Sequence, residues 1–183
     1  MPAFEEVDRR GGLAVDLGCG NGWYLRRLLQ RYPNIRGLGV DGFEENIRQA
    51  REIAAQLGLS ARLRFETGDM HDFAPREPAD LIAMNRALHH VWAEGERVFA
   101  ILRAHLKPGG LAVIWEPNWP AERGALRNGP RRAMAFQNLA EHVQGNRFLQ
   151  AEEIAERLEA SGLEPEIHLF AEGREAVIVG RKA

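Results

Sequence analysis

Short apolar runs alternate with helical patterns through the first two thirds of the chain, and this alternation constrains the fold most strongly. Five runs have the length and composition of buried strands, at residues 13–17, 35–40, 61–66, 80–84 and 111–115. Regular alternation of this kind is typical of an open sheet whose strands are mostly parallel and joined by right-handed crossovers. The sequence therefore predicts a doubly wound α/β fold.

Apolar residues at helical spacing predict three helices between these strands. The first helix stops before Pro33, because proline disfavours helix at the residue that precedes it. The second ends at Gly58, a residue type that caps helices well. The third lies within residues 94–106 and ends at the Lys-Pro-Gly-Gly turn of residues 107–110.

The last third of the chain departs from the alternation. Residues 117–147 are predicted to form an insertion that covers the ligand end of the sheet. Its helix should turn inward an apolar face made of Phe136, Leu139, Ala140 and Val143.

After a predicted helix at 151–160, residues 164–170 and 175–180 are separated by a short turn and should pair antiparallel as a hairpin. Neither a linker nor an internal repeat interrupts the sequence. We therefore expect residues 1–183 to form a single domain.

The composition limits the kinds of partner that the chain can bind. The formal net charge of the 183 residues is −2, which argues against nucleic acid, because proteins that grip a phosphate backbone usually carry a basic excess. Apolar runs all fall short of the roughly 18 to 20 residues that cross a bilayer, so we expect no membrane partner and a cytoplasmic location. The single cysteine, Cys19, cannot form a disulfide within the chain.

The glycine-rich turn after the first strand indicates the ligand. Gly18, Gly20 and Gly22 are each two residues apart, whereas a dinucleotide fingerprint is Gly-x-Gly-x-x-Gly. Asp16 precedes them inside the strand. A pyrophosphate would be repelled by this carboxylate and an ammonium group attracted to it. The turn therefore favours an amino-acid-bearing nucleoside over a dinucleotide.

Residues 15–22, Val-Asp-Leu-Gly-Cys-Gly-Asn-Gly, resemble the first motif of the class I S-adenosylmethionine-dependent methyltransferases. Residues 87–91 resemble the segment after the fourth strand in the small-molecule branch of that family, the methyltransferase type 11/12-like proteins. The turn at 106–110 resembles the family's turn into the fifth strand. The resemblance implies a Rossmann-like sheet of seven strands in the order 3-2-1-4-5-7-6, with the last strand antiparallel. It also implies S-adenosyl-L-methionine as the cofactor, with S-adenosyl-L-homocysteine as its product.

The same resemblance assigns roles to residues at successive strand ends. Asp41 would accept hydrogen bonds from both ribose hydroxyls, Asp69 and Met70 would contact the adenine, and Asn85 would meet the methionine part. Each aspartate taken alone also fits a helix cap or a turn. The full predicted cofactor-binding set is Asp16, Gly18, Cys19, Gly20, Asn21, Gly22, Asp41, Gly42, Asp69, Met70, Asn85 and Arg86.

His89, His90 and Glu116 are the candidate catalytic residues, since they follow the fourth and fifth predicted strands. Histidine can serve as a base near neutral pH. Because the two histidines are adjacent, we expect their side chains to point apart, with one facing the cofactor. Glu116 could be a base, a charge partner or an anchor for its loop. Trp115 and Trp119 should form an aromatic wall beside it.

A metal site is not predicted. A neighbouring histidine pair is poor chelating geometry, and no carboxylate recurs near it at ligand spacing. Only residues 1–12 precede the first strand, so the active site should lack part of its cover. One expectation is that a second copy of the chain supplies that cover, as a homodimer.

The preferred reaction is methyl transfer to an oxygen, nitrogen or carbon atom of a small molecule. A nucleic-acid methyltransferase should carry Asn or Asp followed by Pro-Pro and an aromatic residue after the fourth strand, where this chain has Asn85-Arg86-Ala87-Leu88. Two further alternatives are a protein that binds the cofactor without catalysis and a nicotinamide-binding protein. Four arginines in the insertion would suit either an anionic acceptor or RNA: Arg123, Arg127, Arg131 and Arg132.

Overall fold

Seven strands form one sheet in the computed structural model, which describes residues 2–127 and 129–183. The strands are β1 Leu13–Leu17, β2 Arg36–Asp41, β3 Leu63–Thr67, β4 Ala79–Asn85, β5 Leu106–Pro117, β6 Leu163–Phe170 and β7 Glu175–Lys182. Their order is β3-β2-β1-β4-β5-β7-β6, and β7 runs antiparallel to both of its neighbours. The other pairs are parallel. The predicted fold class and strand order are confirmed.

The described residues form six α-helices. They are α1 Pro2–Arg9, α2 Trp23–Arg31, α3 Glu44–Gln56, α4 Gly95–His105, α5 Gly129–Val143 and α6 Ala151–Ala160. The three helices predicted between the strands are present with ends close to the predicted stops. Gly58, just beyond α3, has a φ of 68°, a left-handed conformation that glycine adopts without strain.

Two apolar layers cover the two faces of the sheet. Successive residues of a strand point to opposite faces, so Val15 and Ile82 join the layer under α4 and α6, whereas Ala14 and Leu81 join the layer under α2 and α3. β1 and β4 are buried over almost their whole length. They therefore form the rigid centre from which the site residues project.

The predicted turn at residues 107–110 lies inside the long strand β5. Leu106 pairs with Ala79 and Leu111 pairs with Leu81, so the four residues between them loop out of the ladder. Gly109 has a φ of 73°, which such a tight excursion requires. Beyond it, β5 continues to Pro117 and brings Glu116 to the carboxyl end of the sheet.

The prediction of which face of the insertion helix points inward is wrong. On α5, Phe136, Leu139 and Val143 are 66%, 60% and 83% exposed, and Ala140 is exposed as well. The inward face instead carries Met134, which is buried, with Asn138 and Glu141 beside it. The reason is local: Asn138 Oδ1 accepts a hydrogen bond of 2.6 Å from the backbone N–H of Phe148, and Glu141 lies against two histidines, so polar contacts set the rotation of this helix.

None of the helices in the described part of the chain combines the length and the apolar character that crossing a bilayer requires. The cytoplasmic location, the single domain and the covering role of residues 117–147 stay predictions.

Candidate active site

The carboxyl ends of β1, β2 and β4 bring three predicted cofactor residues together. Asn85 Nδ2 donates a hydrogen bond of 2.9 Å to Asp16 Oδ1. Asp41 Oδ2 accepts one of 2.8 Å from the backbone N–H of Gly20, while its Oδ1 accepts from the N–H of Phe43 at 2.9 Å. Adjacent parallel strands end at the same edge of a sheet, which is where ligands of such folds bind.

The glycine turn after β1 has the backbone that its sequence predicted. Gly18, Gly20 and Gly22 have φ values of 72°, 51° and 76°, all in the left-handed region. A Cβ on Gly18 would lie 2.6 Å from the Cβ of Ala87, so this glycine lets the turn touch the segment after β4. A Cβ on Gly20 would meet nothing within 4 Å. Gly18 therefore serves packing, and Gly20 borders open space.

Asp16 is the electrostatic centre of this turn. Its side chain is 1% exposed, and burial raises its pKa to about 7 against the opposing hydrogen bond from Asn85, with the charge of Asp41 adding to the rise. A cationic ligand group would favour its charged form. Burial, with the charges of Asp16 and Asp41, also raises the pKa of Cys19 well above its usual range, so this cysteine is a buried thiol.

A cavity of about 410 Å³ lies beside the ends of β2 and β3. Asp41, Gly42, Asp69 and Met70 all line it, so four predicted cofactor residues share one space. Asp69 also caps a short 3₁₀ turn, because its Oδ1 accepts from the backbone N–H and from Nδ1 of His71, each at 2.8 Å. These hydrogen bonds lower the pKa of Asp69. The turn-forming alternative therefore applies to Asp69 as well.

A larger cavity, of about 520 Å³, lies between β2, β3 and residues 72–77. Apart from Asp69, none of the predicted site residues lines it. We place the candidate site at the strand ends, because the convergent polar groups and the shifted pKa of Asp16 are found there.

Asn21 and Arg86 lie at the rim of the site, and both are exposed. The backbone carbonyl of Asn21 accepts a hydrogen bond from Arg26. Arg86 has a φ of 55°, and its guanidinium lies 5.7 Å from the centre of the Trp115 ring. Trp115 in turn donates to Glu175 at 2.8 Å.

The predicted aromatic wall beside Glu116 is therefore wrong for Trp115. Neighbouring residues of a strand point to opposite faces, so Trp115 and Glu116 lie on different sides of β5. Trp119 lies beyond the strand, where its ring centre is 6.5 Å from that of Phe148.

His89 and Glu116 form a buried pair. Nδ1 of His89 lies 2.6 Å from Oε2 of Glu116, and the two residues are 4% and 1% exposed. Oε1 of Glu116 accepts the backbone N–H of Leu88 at 2.8 Å and that of His89 at 3.3 Å. Glu116 thus anchors the loop after β4 and also accepts a hydrogen bond from Nδ1–H of His89. The imidazole is then left with a lone pair on Nε2.

The expectation that His89 and His90 point apart is wrong. Their ring centres lie 4.0 Å from each other, and both rings approach Glu141. The histidines lie on a 3₁₀ turn, Leu88–His90, in which successive side chains are about 120° apart, instead of on an extended strand where they alternate. Glu141 lies on α5, far from the histidines in the sequence, so residue spacing could not predict that it lies beside them.

Comparison with known proteins agrees with this geometry. The sequence profile of the family described as "Methyltransferase domain" matches residues 14–110, which is more than half of the chain. The chain belongs to this family. The match runs from β1 to the turn within β5 and so contains the glycine turn, the three strand-end residues and the two histidines.

Named relatives and solved structures are similar over different lengths. A trans-aconitate 2-methyltransferase from Azoarcus sp. (strain BH72) is 35% identical over 103 residues, which are 56% of this chain and 38% of the relative. The chain thus spans about two fifths of that relative's length.

Among solved structures, an O-methyltransferase family 2 protein from Planctomyces limnophilus, in complex with apigenin, superposes with a TM-score of 0.77. It is 26% identical, and the superposition covers 94% of this chain and 51% of that one. NcsB1, an O-methyltransferase from neocarzinostatin biosynthesis solved with S-adenosylmethionine and 2-hydroxy-5-methyl naphthoic acid, has a TM-score of 0.71 at 22% identity, with 95% of this chain and 49% of that one covered.

Proposed function

We propose that the chain transfers the methyl group of S-adenosylmethionine to a hydroxyl oxygen of a small-molecule acceptor. The observation that carries the proposal is the buried His89–Glu116 pair, which lies next to the glycine turn of a methyltransferase domain. Ala87, two residues before His89, is the residue that a side chain on Gly18 would strike. The segment that carries His89 therefore packs against the cofactor turn.

The residues at the strand ends fit the cofactor. Buried Asp16 suits its ammonium group, open space at Gly20 suits a ligand close to the backbone, and the cavity lined by Asp41 and Met70 suits its nucleoside. S-adenosylmethionine, when bound, supplies a methyl group on a sulfonium, which needs no further activation. The protein's own tasks are to align the acceptor, exclude water and remove a proton.

His89 is suited to remove that proton. Glu116 accepts a hydrogen bond from Nδ1–H and so keeps the Nε2 lone pair available, and it stabilises the imidazolium that forms when Nε2 takes the acceptor's proton. Both side chains are buried, so the carboxylate acts over a short distance in a medium of low polarity. A hydroxyl acceptor needs such a base, because its neutral oxygen is a weak nucleophile.

The charges around His89 favour a neutral acceptor over an anionic one. Glu116 lies on one side of the imidazole and Glu141 on the other, with Glu141 Oε2 at 3.6 Å from Nε2. A polycarboxylate, such as the one in the name of the Azoarcus relative, would be repelled by these carboxylates. Apigenin, present in the Planctomyces structure, is a flat molecule with phenolic hydroxyls and fits the proposal better.

We also propose that residues 117–147, together with a second copy of the chain, cover the site. The helix α5 faces the histidines through Glu141 and presents Phe136, Leu139 and Val143 outward. A second copy that packs on this apolar face would bury it and close the site from outside. Sedimentation of the chain and of a Phe136→Ser/Leu139→Ser variant tests this: a concentration-dependent dimer that the variant abolishes is expected, and a monomer at all concentrations would contradict it.

The main experiment uses S-adenosylmethionine labelled in its methyl group. Phenols, trans-aconitate and RNA are offered separately, and transfer of label to a phenol at a rate that far exceeds the other two is expected. Calorimetry should show that S-adenosylmethionine binds more tightly than NAD. Binding without transfer to any acceptor would point to a non-catalytic protein, and salt-sensitive labelling of RNA would support the nucleic-acid alternative.

A further inference from the structure

Three possible ligand atoms converge outside the His89–Glu116 contact. Glu141 Oε2 lies 3.6 Å from His89 Nε2 and 3.7 Å from His90 Nδ1, and the three atoms all lie within 4.8 Å of one another. The two distances are too long for hydrogen bonds. Two ligands of a tetrahedral zinc ion, each about 2.0–2.1 Å from the metal, are about 3.3–3.4 Å apart. The two distances to Glu141 Oε2 are close to that edge length.

Glu141 supports a bound cation independently of the spacing. Its Oε2 atom is shielded from solvent and has no hydrogen-bond partner among the described residues. A shielded carboxylate oxygen without a partner is costly, because its lost hydration is not replaced. A cation between the three side chains would replace that hydration.

The hydrogen bonds of the two histidines leave a lone pair on each of the nitrogens that lie near Glu141. Glu116 accepts a hydrogen bond from Nδ1–H of His89, and in the neutral imidazole this leaves the lone pair on Nε2, which faces Glu141. A carboxylate that holds the other nitrogen of a metal-binding histidine is the usual support in such sites. Asn146 Nδ2 lies 3.0 Å from His90 Nδ1 as a donor, so this nitrogen also presents a lone pair, and a metal ion would displace the amide.

We propose that His89, His90 and Glu141 bind one divalent transition-metal ion, with a fourth coordination position open to water. Zn²⁺ is the ion that fits these ligands best. Two imidazoles and one carboxylate match the ligands of zinc, whereas Mg²⁺ and Ca²⁺ prefer oxygen ligands throughout. The sequence predicts no metal site there, because the carboxylate of Glu141 lies on α5 and no residue spacing places it beside the two histidines.

A functional consequence rests on the proposed function. A zinc ion bound to His89 Nε2 occupies the lone pair that would accept the acceptor's proton. Zinc should therefore inhibit methyl transfer over the same concentration range in which it binds. Binding itself does not depend on the proposed reaction, so the two can be tested apart.

The test uses the full chain, stripped of metal with a chelator and then titrated with Zn²⁺ in competition with a chromophoric chelator. We expect one zinc ion per chain. Co²⁺ at the same site should give the visible absorption of a tetrahedral complex. Glu141→Gln and His90→Gln should each weaken binding by about tenfold or more, since loss of even supporting residues costs 10- to 100-fold. Glu122→Gln, at an exposed position of the same insertion, is the matched control and should bind normally.

Thermal unfolding of each variant checks that the fold is intact. The site is overturned if the chain shows no saturable zinc binding, or if zinc binds equally well to Glu141→Gln and His90→Gln. Zinc binding in a chain that transfers no methyl group would uphold the site and contradict the proposed function. Methyl transfer by a chain that binds no zinc would do the reverse.

Discussion

Glu116 Oε2 lies 2.6 Å from His89 Nδ1 at the centre of the site, and this contact decides which nitrogen of His89 can act as a base. Glu116→Gln keeps the size of the side chain but offers an amide in place of the carboxylate. The amide can donate to Nδ1, which would move the imidazole proton to Nε2. We expect kcat to fall by roughly 10²-fold or more, since positioned bases contribute about 10²- to 10⁴-fold.

The same variant should bind S-adenosylmethionine normally, because Glu116 does not line the cofactor cavity. Steady-state kinetics and calorimetry on one preparation separate the two effects. Unchanged kcat in Glu116→Gln would remove this residue from the mechanism and leave it only the anchoring of the loop through Leu88.

The adjacent histidines offer a matched pair of variants. His89 is buried and bound to Glu116, whereas the side chain of His90 is 46% exposed and lies beside Asn146. We expect His89→Gln to lower kcat by roughly 10²-fold or more and His90→Gln to have a smaller effect, because a positioned base contributes about 10²- to 10⁴-fold. Turnover with a phenolic acceptor measures both. A larger loss in His90→Gln would exchange the roles assigned to them.

Much of this site followed from the sequence because it depends on strand ends. Asp41 and Asn85 are the last residues of parallel strands and Asp16 is the last but one of another, and the carboxyl ends of such strands meet at one edge. Alternation of strand and helix predicted the α/β fold class, and the family resemblance implied the order of the strands. Glu141 could not be predicted, because its place depends on how α5 is rotated. Apolar spacing predicted the opposite rotation, since it cannot weigh polar contacts such as that of Asn138 with Phe148.

The glycines of the turn make a second matched pair. Gly18→Ala places a side chain at a left-handed φ of 72°, and its Cβ would lie 2.6 Å from the Cβ of Ala87. In Gly20→Ala the new Cβ meets no atom within 4 Å, so the only strain comes from its φ of 51°. The conformational cost is about 1–2 kcal/mol for either variant. Overpacking should add about 1–3 kcal/mol at Gly18 alone. Chemical denaturation measures the difference, and equal losses of unfolding free energy would contradict the contact with Ala87.

Asp16 should make cofactor binding depend on pH. Its pKa of about 7 means that it is only partly charged at neutral pH, and an ammonium group selects the charged form. Affinity for S-adenosylmethionine should therefore rise by roughly tenfold between pH 6 and pH 8, as the charged fraction rises, and binding should release protons. Calorimetry in buffers of different ionisation enthalpy measures both. Affinity that is flat across this range would show that the ammonium group lies elsewhere.

Ionisation of Asp16 should favour cofactor binding but lower the stability of the protein without cofactor. Folding raises its pKa from an ordinary value of 3.8 to about 7, so the folded state holds the proton more tightly than the unfolded state. The contribution of this group to stability is fully present below pH 3.8, is lost as pH rises to about 7, and stays lost above it. Asp16→Asn removes this loss, and an amide oxygen can still accept from Asn85. We expect the variant to melt at a higher temperature than the native chain at pH 8 and to lose that advantage towards pH 4. A melting-temperature difference that does not change with pH would mean that Asp16 titrates normally.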